Sequence, residues 1–167
     1  AVERVVARQP IIGVDDQVVG FQLLQRATSE AIWTRSDATE TVTVSALLGD
    51  VSFDIDVLFG DTQLFCHPGP ELLTSTAPVS RPTRRTVLEV PATLGTDDAI
   101  VDRCRVLSRE GYSIAVELPA WQPGIEALLT LADLVSIDLA ATPREQVVDL
   151  VAQCRPYGVT MLATRCL

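Results

Sequence analysis

An α/β protein built on a parallel sheet with helices outside it is predicted by the way this chain changes its hydrophobic period. From residue 86 onward, β-branched and apolar runs alternate at least three times with segments whose apolar residues recur every three or four positions. A helix between consecutive strands makes those strands parallel, and such crossovers are right-handed. The composition, 47% hydrophobic and 21% charged over 167 residues, suits a single domain spanning 1–167 with one core. Periodicity alone leaves a closed barrel and an open sheet both standing.

The chain opens on two short strands around a turn, within Val6 to Arg26 (VARQPIIGVDDQVVGFQLLQR). A polar passage, Ala27 to Glu40, follows. In the next stretch Thr41 to Ser45 alternates like a strand, while Ala46, Leu47 and Leu48 before Gly49 read as a helix end, so that region is predicted mostly helical. Gln63 to His67 is a buried strand stopped by Pro68, Gly69 and Pro70, with a short helix around Glu71 to Ser75. Pro78 to Arg85 is a surface connection, and its Arg81, Arg84 and Arg85 form a solvated cluster with no assigned role.

Thr86 to Val90 is the next strand. Thr96 is the expected cap of a helix with Ile100, Val101, Cys104 and Leu107 on one face, closed by Gly111. Tyr112 to Leu118 is a strand, Pro123 and Gly124 open a short helix carrying Ile125, Leu128 and Leu129, and Leu134 to Leu139 is a strand again. Thr142 as cap and Pro143 in the first turn introduce a helix with Val147, Val148, Leu150, Val151 and Cys154 on one face. Gly158 ends it, and Val159 to Ala163 is the seventh strand. No G-x-G-x-x-G turn follows any strand, which argues against an open dinucleotide-binding sheet.

A net charge of −9 repels a phosphate backbone and argues against a nucleic acid polymer as partner. All 13 basic residues are Arg, and the absence of Lys and Asn removes Schiff-base and Walker-type lysines and any Asn metal ligand. Cys66, Cys104, Cys154 and Cys166 lack zinc-finger spacing and are expected to be reduced, buried thiols. Neither a signal peptide nor an apolar run long enough for a membrane span is present. An internal fragment would lack these too; no membrane association and a cytoplasmic location are the expectation.

Several segments in order give the chain a family likeness: RQPI at Arg8 to Ile11, GFQLLQR at Gly20 to Arg26, LFCHPGPELL at Leu64 to Leu73 and VLEV at Val87 to Val90. REGYSIAVE at Arg109 to Glu117, ADLVSIDL at Ala132 to Leu139 and YGVTMLA at Tyr157 to Ala163 continue it. The chain resembles a degenerate EAL domain, the cyclic di-GMP phosphodiesterase barrel, of the kind that precedes an HDOD domain. The resemblance implies an EAL-like (β/α) barrel of the TIM-barrel type with an N-terminal β-hairpin. A closed barrel of this family has eight strands where seven are read here, so either the chain is cut from a longer protein or one edge is exposed.

Active members hold two divalent metals at the carboxyl ends of their strands, on oxygen ligands. By resemblance, Gln22 stands where the signature Glu supplies a carboxylate, and His67 stands where the family has an Asn. Glu89 matches its position. The family's paired Asp residues become Glu117 and Leu118, its Lys becomes Ser136, Asp138 is retained, and its Glu after the seventh strand falls at Thr164. Phosphodiester hydrolysis is very slow unaided, so a mouth stripped of these groups is expected to be catalytically inactive, with no cofactor.

The resemblance thus implies a regulatory or protein-interaction module in bacterial signalling, with a protein partner, a neighbouring HDOD domain or a second copy at its edge. Two alternatives accompany it: a cyclic di-GMP receptor that binds without cleaving, through Arg26 and Gln9, and a residual phosphodiesterase using Mg or Mn on His67, Glu89 and Glu117. Trp121 falls where the family has its dimer contact, making it an interface candidate. The competing reading folds its ring back over the barrel mouth.

Overall fold

The computed structural model of the chain describes residues 4–27, 40–41, 60–76 and 86–166. Along the chain it places β1 (Arg4–Ile12), β2 (Val18–Ala27), β3 (Glu40–Thr41), β4 (Gln63–Cys66), α1 (Gly69–Thr74) and β5 (Thr86–Pro91). There follow α2 (Asp98–Arg109), β6 (Ser113–Glu117), α3 (Glu126–Leu129), β7 (Leu134–Asp138), α4 (Arg144–Cys154) and β8 (Thr160–Thr164). The predicted helical stretch after Thr41 and the cluster Arg81, Arg84 and Arg85 lie outside the described residues.

All the strands join one sheet in the order β1-β2-β4-β5-β6-β7-β8, with β3 paired to β2. β1 and β2 form an antiparallel hairpin in which Asp16 takes a left-handed φ of 60°, a conformation Asp tolerates in turns. β3 pairs with β2 antiparallel, while along β2-β4-β5-β6-β7-β8 each neighbour pairs in parallel, as crossover connections require. The sheet curls into part of a barrel, and among the described residues β1 and β8 are not bonded to each other. The α/β class is therefore observed, and strands β4 to β8 begin and end within one residue of their predicted bounds.

Alternation along the strands sorts the core into two faces. Leu88, Val90, Ile114, Val116, Val135 and Ile137 face the helices, where Ile100, Cys104, Leu107, Leu128, Leu150 and Cys154 meet them in one continuous buried cluster. The opposite, concave face carries a smaller cluster of Phe65, Val87 and Ala115, bordered by Ile11, Leu134 and Leu162. Gly20 belongs to this face because the Phe65 ring fills its space. A Cβ there would stand 2.8 Å from the Gln63 carbonyl oxygen and 2.9 Å from the ring.

Four local readings change. Asp97, one residue after Thr96, caps α2: its Oδ1 accepts from the Ala99 and Ile100 amides at 2.9 and 3.4 Å. Pro143 occupies the N-cap position of α4 without a side-chain bond, and Thr142 is instead buried, its amide donating to the Asp138 carbonyl at 2.9 Å. Val148 faces outward at 62% exposure, because the face of α4 that meets the sheet is set by Leu150 and Cys154. Cys66, Cys104 and Cys154 are buried free thiols, whereas Cys166, beyond the end of β8, is exposed. Among the described residues no helix is long and apolar enough to cross a membrane.

Candidate functional site

Along β5 the concave face passes from Val87 to Glu89, and along β6 from Ala115 to Glu117, so each strand turns from apolar to acidic as it approaches its carboxyl end. Register then assembles the neighbours: Gln22 pairs with Phe65 across β2 and β4, Glu117 lies beside Ser136, and Asp138 lies beside Thr164. A cavity of about 400 Å³ opens at these ends, bounded by Gln22, Glu89, Glu117, Ser136, Asp138 and Arg165. Carboxyl ends of parallel strands are where α/β folds place their sites.

Glu89 is the centre of this mouth. It is only 2% exposed, and the Gln22 side-chain amide donates to both of its carboxylate oxygens, at 2.9 and 3.1 Å. Burial is the main cause that raises its pKa above the ordinary carboxyl range. The Gln22 hydrogen bond opposes the rise, the Glu117 charge adds to it, and His67 opposes it. Burial likewise pushes the neighbouring Cys66 thiol up to about 12, with Glu89 adding to the rise.

His67 follows β4 directly, half-buried. Its Nδ1 lies 3.1 Å from the Glu89 backbone carbonyl, and a carbonyl oxygen only accepts, so Nδ1 carries the hydrogen. The other ring nitrogen, Nε2, faces Glu117 Oε1 at 3.9 Å. His67, Glu89 and Glu117 each offer one ligand atom, and the three atoms lie within 4.8 Å of one another.

Asp138 sits higher on the rim and is already engaged. Its Oδ1 accepts from the Ala140 and Ala141 amides at 3.0 and 3.2 Å, and its Oδ2 pairs with the Arg165 guanidinium. Arg165 holds a left-handed φ of 50°. Sequence reasoning missed this residue, because an Arg just beyond a strand reads as solvated; only the structure shows it turned back across the mouth.

The other candidate residues are less central. Gln9 is exposed on β1 directly opposite Gln22, and directly opposed residues of antiparallel strands project to the same face. Arg26 pairs through its backbone with Val5, and its side chain lies outside the described residues. Trp121 is half-buried after β6, packed against the helix-side core with its ring 6.5 Å from that of Tyr157.

The chain is similar to two curated proteins. It is 27% identical over 144 residues to the uncharacterized protein YuxH of Bacillus subtilis strain 168, a match covering 83% of this chain and 35% of that protein. It is 22% identical over 147 residues to the cyclic di-GMP phosphodiesterase CdgJ of Vibrio cholerae serotype O1, covering 87% of this chain and 34% of that protein. The chain thus spans about a third of the length of the curated relatives it matches. No protein-family profile matches it, and no solved structure gives a significant match.

Proposed function

We propose that this chain is an EAL-like domain of cyclic di-GMP signalling that does not hydrolyse the nucleotide and acts as a regulatory or protein-interaction module. The similarity to CdgJ supplies the nucleotide, and the mouth supplies the reason for inactivity. The carrying observation is the pair of hydrogen bonds from Gln22 to Glu89. A neutral amide neighbours the buried carboxylate where a two-metal hydrolase requires a further anionic ligand. Ser136, buried and neutral, offers no base to orient water, and Leu118 offers no donor atom beside Glu117.

The partner in this reading is a protein surface, with an HDOD domain or a second copy of the chain as the specific candidates. Equilibrium dialysis of labelled cyclic di-GMP, with and without Mg or Mn, tests the proposal. Recovery of intact nucleotide from every chamber is expected. Retention by the protein without cleavage would identify a receptor, and a linear dinucleotide product that disappears in Glu89→Gln would overturn the inactive reading in favour of a residual phosphodiesterase.

A further inference from the structure

We propose that the mouth of the sheet binds one zinc-like transition-metal ion, held by His67 Nε2 and one oxygen each from Glu89 and Glu117. This stands on side-chain geometry and holds whether or not the nucleotide reading does.

Three adjacent parallel strand ends deliver the ligands: His67 after β4, Glu89 within β5 and Glu117 at the end of β6. Ligands about 2.1 Å from a tetrahedral ion stand roughly 3.4 Å apart. The three donor atoms already lie within 4.8 Å of one another, and His67 Nε2 is 3.9 Å from Glu117 Oε1. Modest side-chain rotation closes the set.

The surroundings prepare each ligand. A metal-bound imidazole almost always donates its second N–H to a carbonyl or carboxylate, and His67 Nδ1 does so to the Glu89 backbone oxygen, leaving the Nε2 lone pair toward the cluster. Gln22 fixes the Glu89 carboxylate without adding negative charge, and each carboxylate oxygen keeps further lone pairs. Among the described residues, the groups acting on the buried Glu89 carboxylate are the neutral Gln22 amide, the Glu117 carboxylate and the His67 ring, and an ion would add positive charge to that set.

The donor chemistry selects the ion. One imidazole with two carboxylates suits a borderline cation that accepts three protein ligands and leaves a position open to water. Magnesium takes oxygen ligands and keeps much of its water, so the His67 nitrogen favours the borderline ion over it.

The same mouth refuses a second ion. Asp138 is the next carboxylate along the rim, and its oxygens are engaged by two backbone amides and Arg165, whose charge repels a further cation. The bound ion would clip together the ends of three strands.

His67 is the chain's one histidine, which makes the test specific. Tag-free protein is stripped with EDTA and titrated with zinc chloride, magnesium chloride or manganese chloride by calorimetry. Nitrogen-15 spectra of the imidazole are recorded in parallel, in a Cys166→Ser background that removes the exposed thiol. The expected result is one zinc per chain, at least 100-fold tighter than magnesium, with the shift localised on Nε2. His67→Gln and Glu117→Gln should each weaken binding tenfold or more while keeping the metal-free circular dichroism spectrum. Absence of zinc binding, binding indifferent to both substitutions, or uptake of two magnesium ions would each overturn the proposal. A variant that loses its metal-free fold is replaced by Glu117→Asp, for which weakened binding supports the site and unchanged binding opposes it.

Discussion

The two faces of the same strands have different requirements. On β5 and β6, Leu88, Val90, Ile114 and Val116 point at the helices and are fully buried along the whole length of the strand. One residue out of phase, Val87 gives way to Glu89 and Ala115 to Glu117. The helix-side face must stay apolar because α2, α3 and α4 cover it from end to end. The concave face is apolar only where Phe65 closes it, and its upper layer holds charge at the cost of desolvation. Apolar packing is concentrated on the first face and the ionisable cluster of His67, Glu89 and Glu117 on the second.

The largest effect should come from the helix side. Leu107, fully buried on α2, belongs to that cluster, so Leu107→Ala removes apolar contact and leaves a cavity. A loss of about 3 kcal/mol is expected in urea denaturation, with an unchanged slope. A loss under about 1 kcal/mol would show the helix layer to be loosely packed and would break the comparison.

The concave face should respond with the opposite sign. Burial raises the Glu89 pKa in the folded protein, so the folded state holds that proton more tightly than the unfolded chain does. The resulting stabilisation is complete below the unfolded carboxyl value near ~4.3 and is lost as pH rises through the folded value. As pH rises above that range, with metal chelated, ionisation of Glu89 therefore carries a penalty that Glu89→Gln removes. The variant should gain stability relative to the parent protein as pH rises from about 4 to about 7, and the two should converge toward about pH 4. Destabilisation at pH 7 would mean that Glu89 is a packing residue like those on the other face.

The same contrast explains what could be read from the sequence. Helix-side residues such as Ile100, Val101, Cys104 and Leu107 recur with the period of the element that buries them, so α2 and the strands around it were legible from spacing alone. The concave face has no such period at its top. Gln22, His67, Glu89 and Glu117 are 22 to 45 positions apart at each step along the chain, and only the resemblance to a known family pointed to them jointly. Their convergence depends on strand register, a tertiary property. Arg165 carried no signal at all, since its role comes from a backbone turn that brings it over Asp138.

The smallest effect concerns a helix end on the stable face. Thr96 and Asp97 are both capping residue types, and spacing to Ile100 did not discriminate between them. In the structure Thr96 ends a 3-10 turn, whereas Asp97 has the extended backbone of an N-cap, with φ −96° and ψ 106°. Its carboxylate accepts from two amides that would otherwise lack partners in the first turn, and its charge lies at the positive end of the helix dipole. Asp97→Ala should therefore cost about 1 kcal/mol, and Thr96→Ala, at an exposed side chain, within about 0.5 kcal/mol of nothing. Equal costs at the two positions in urea denaturation would show that α2 starts one residue earlier, with Thr96 as its cap after all.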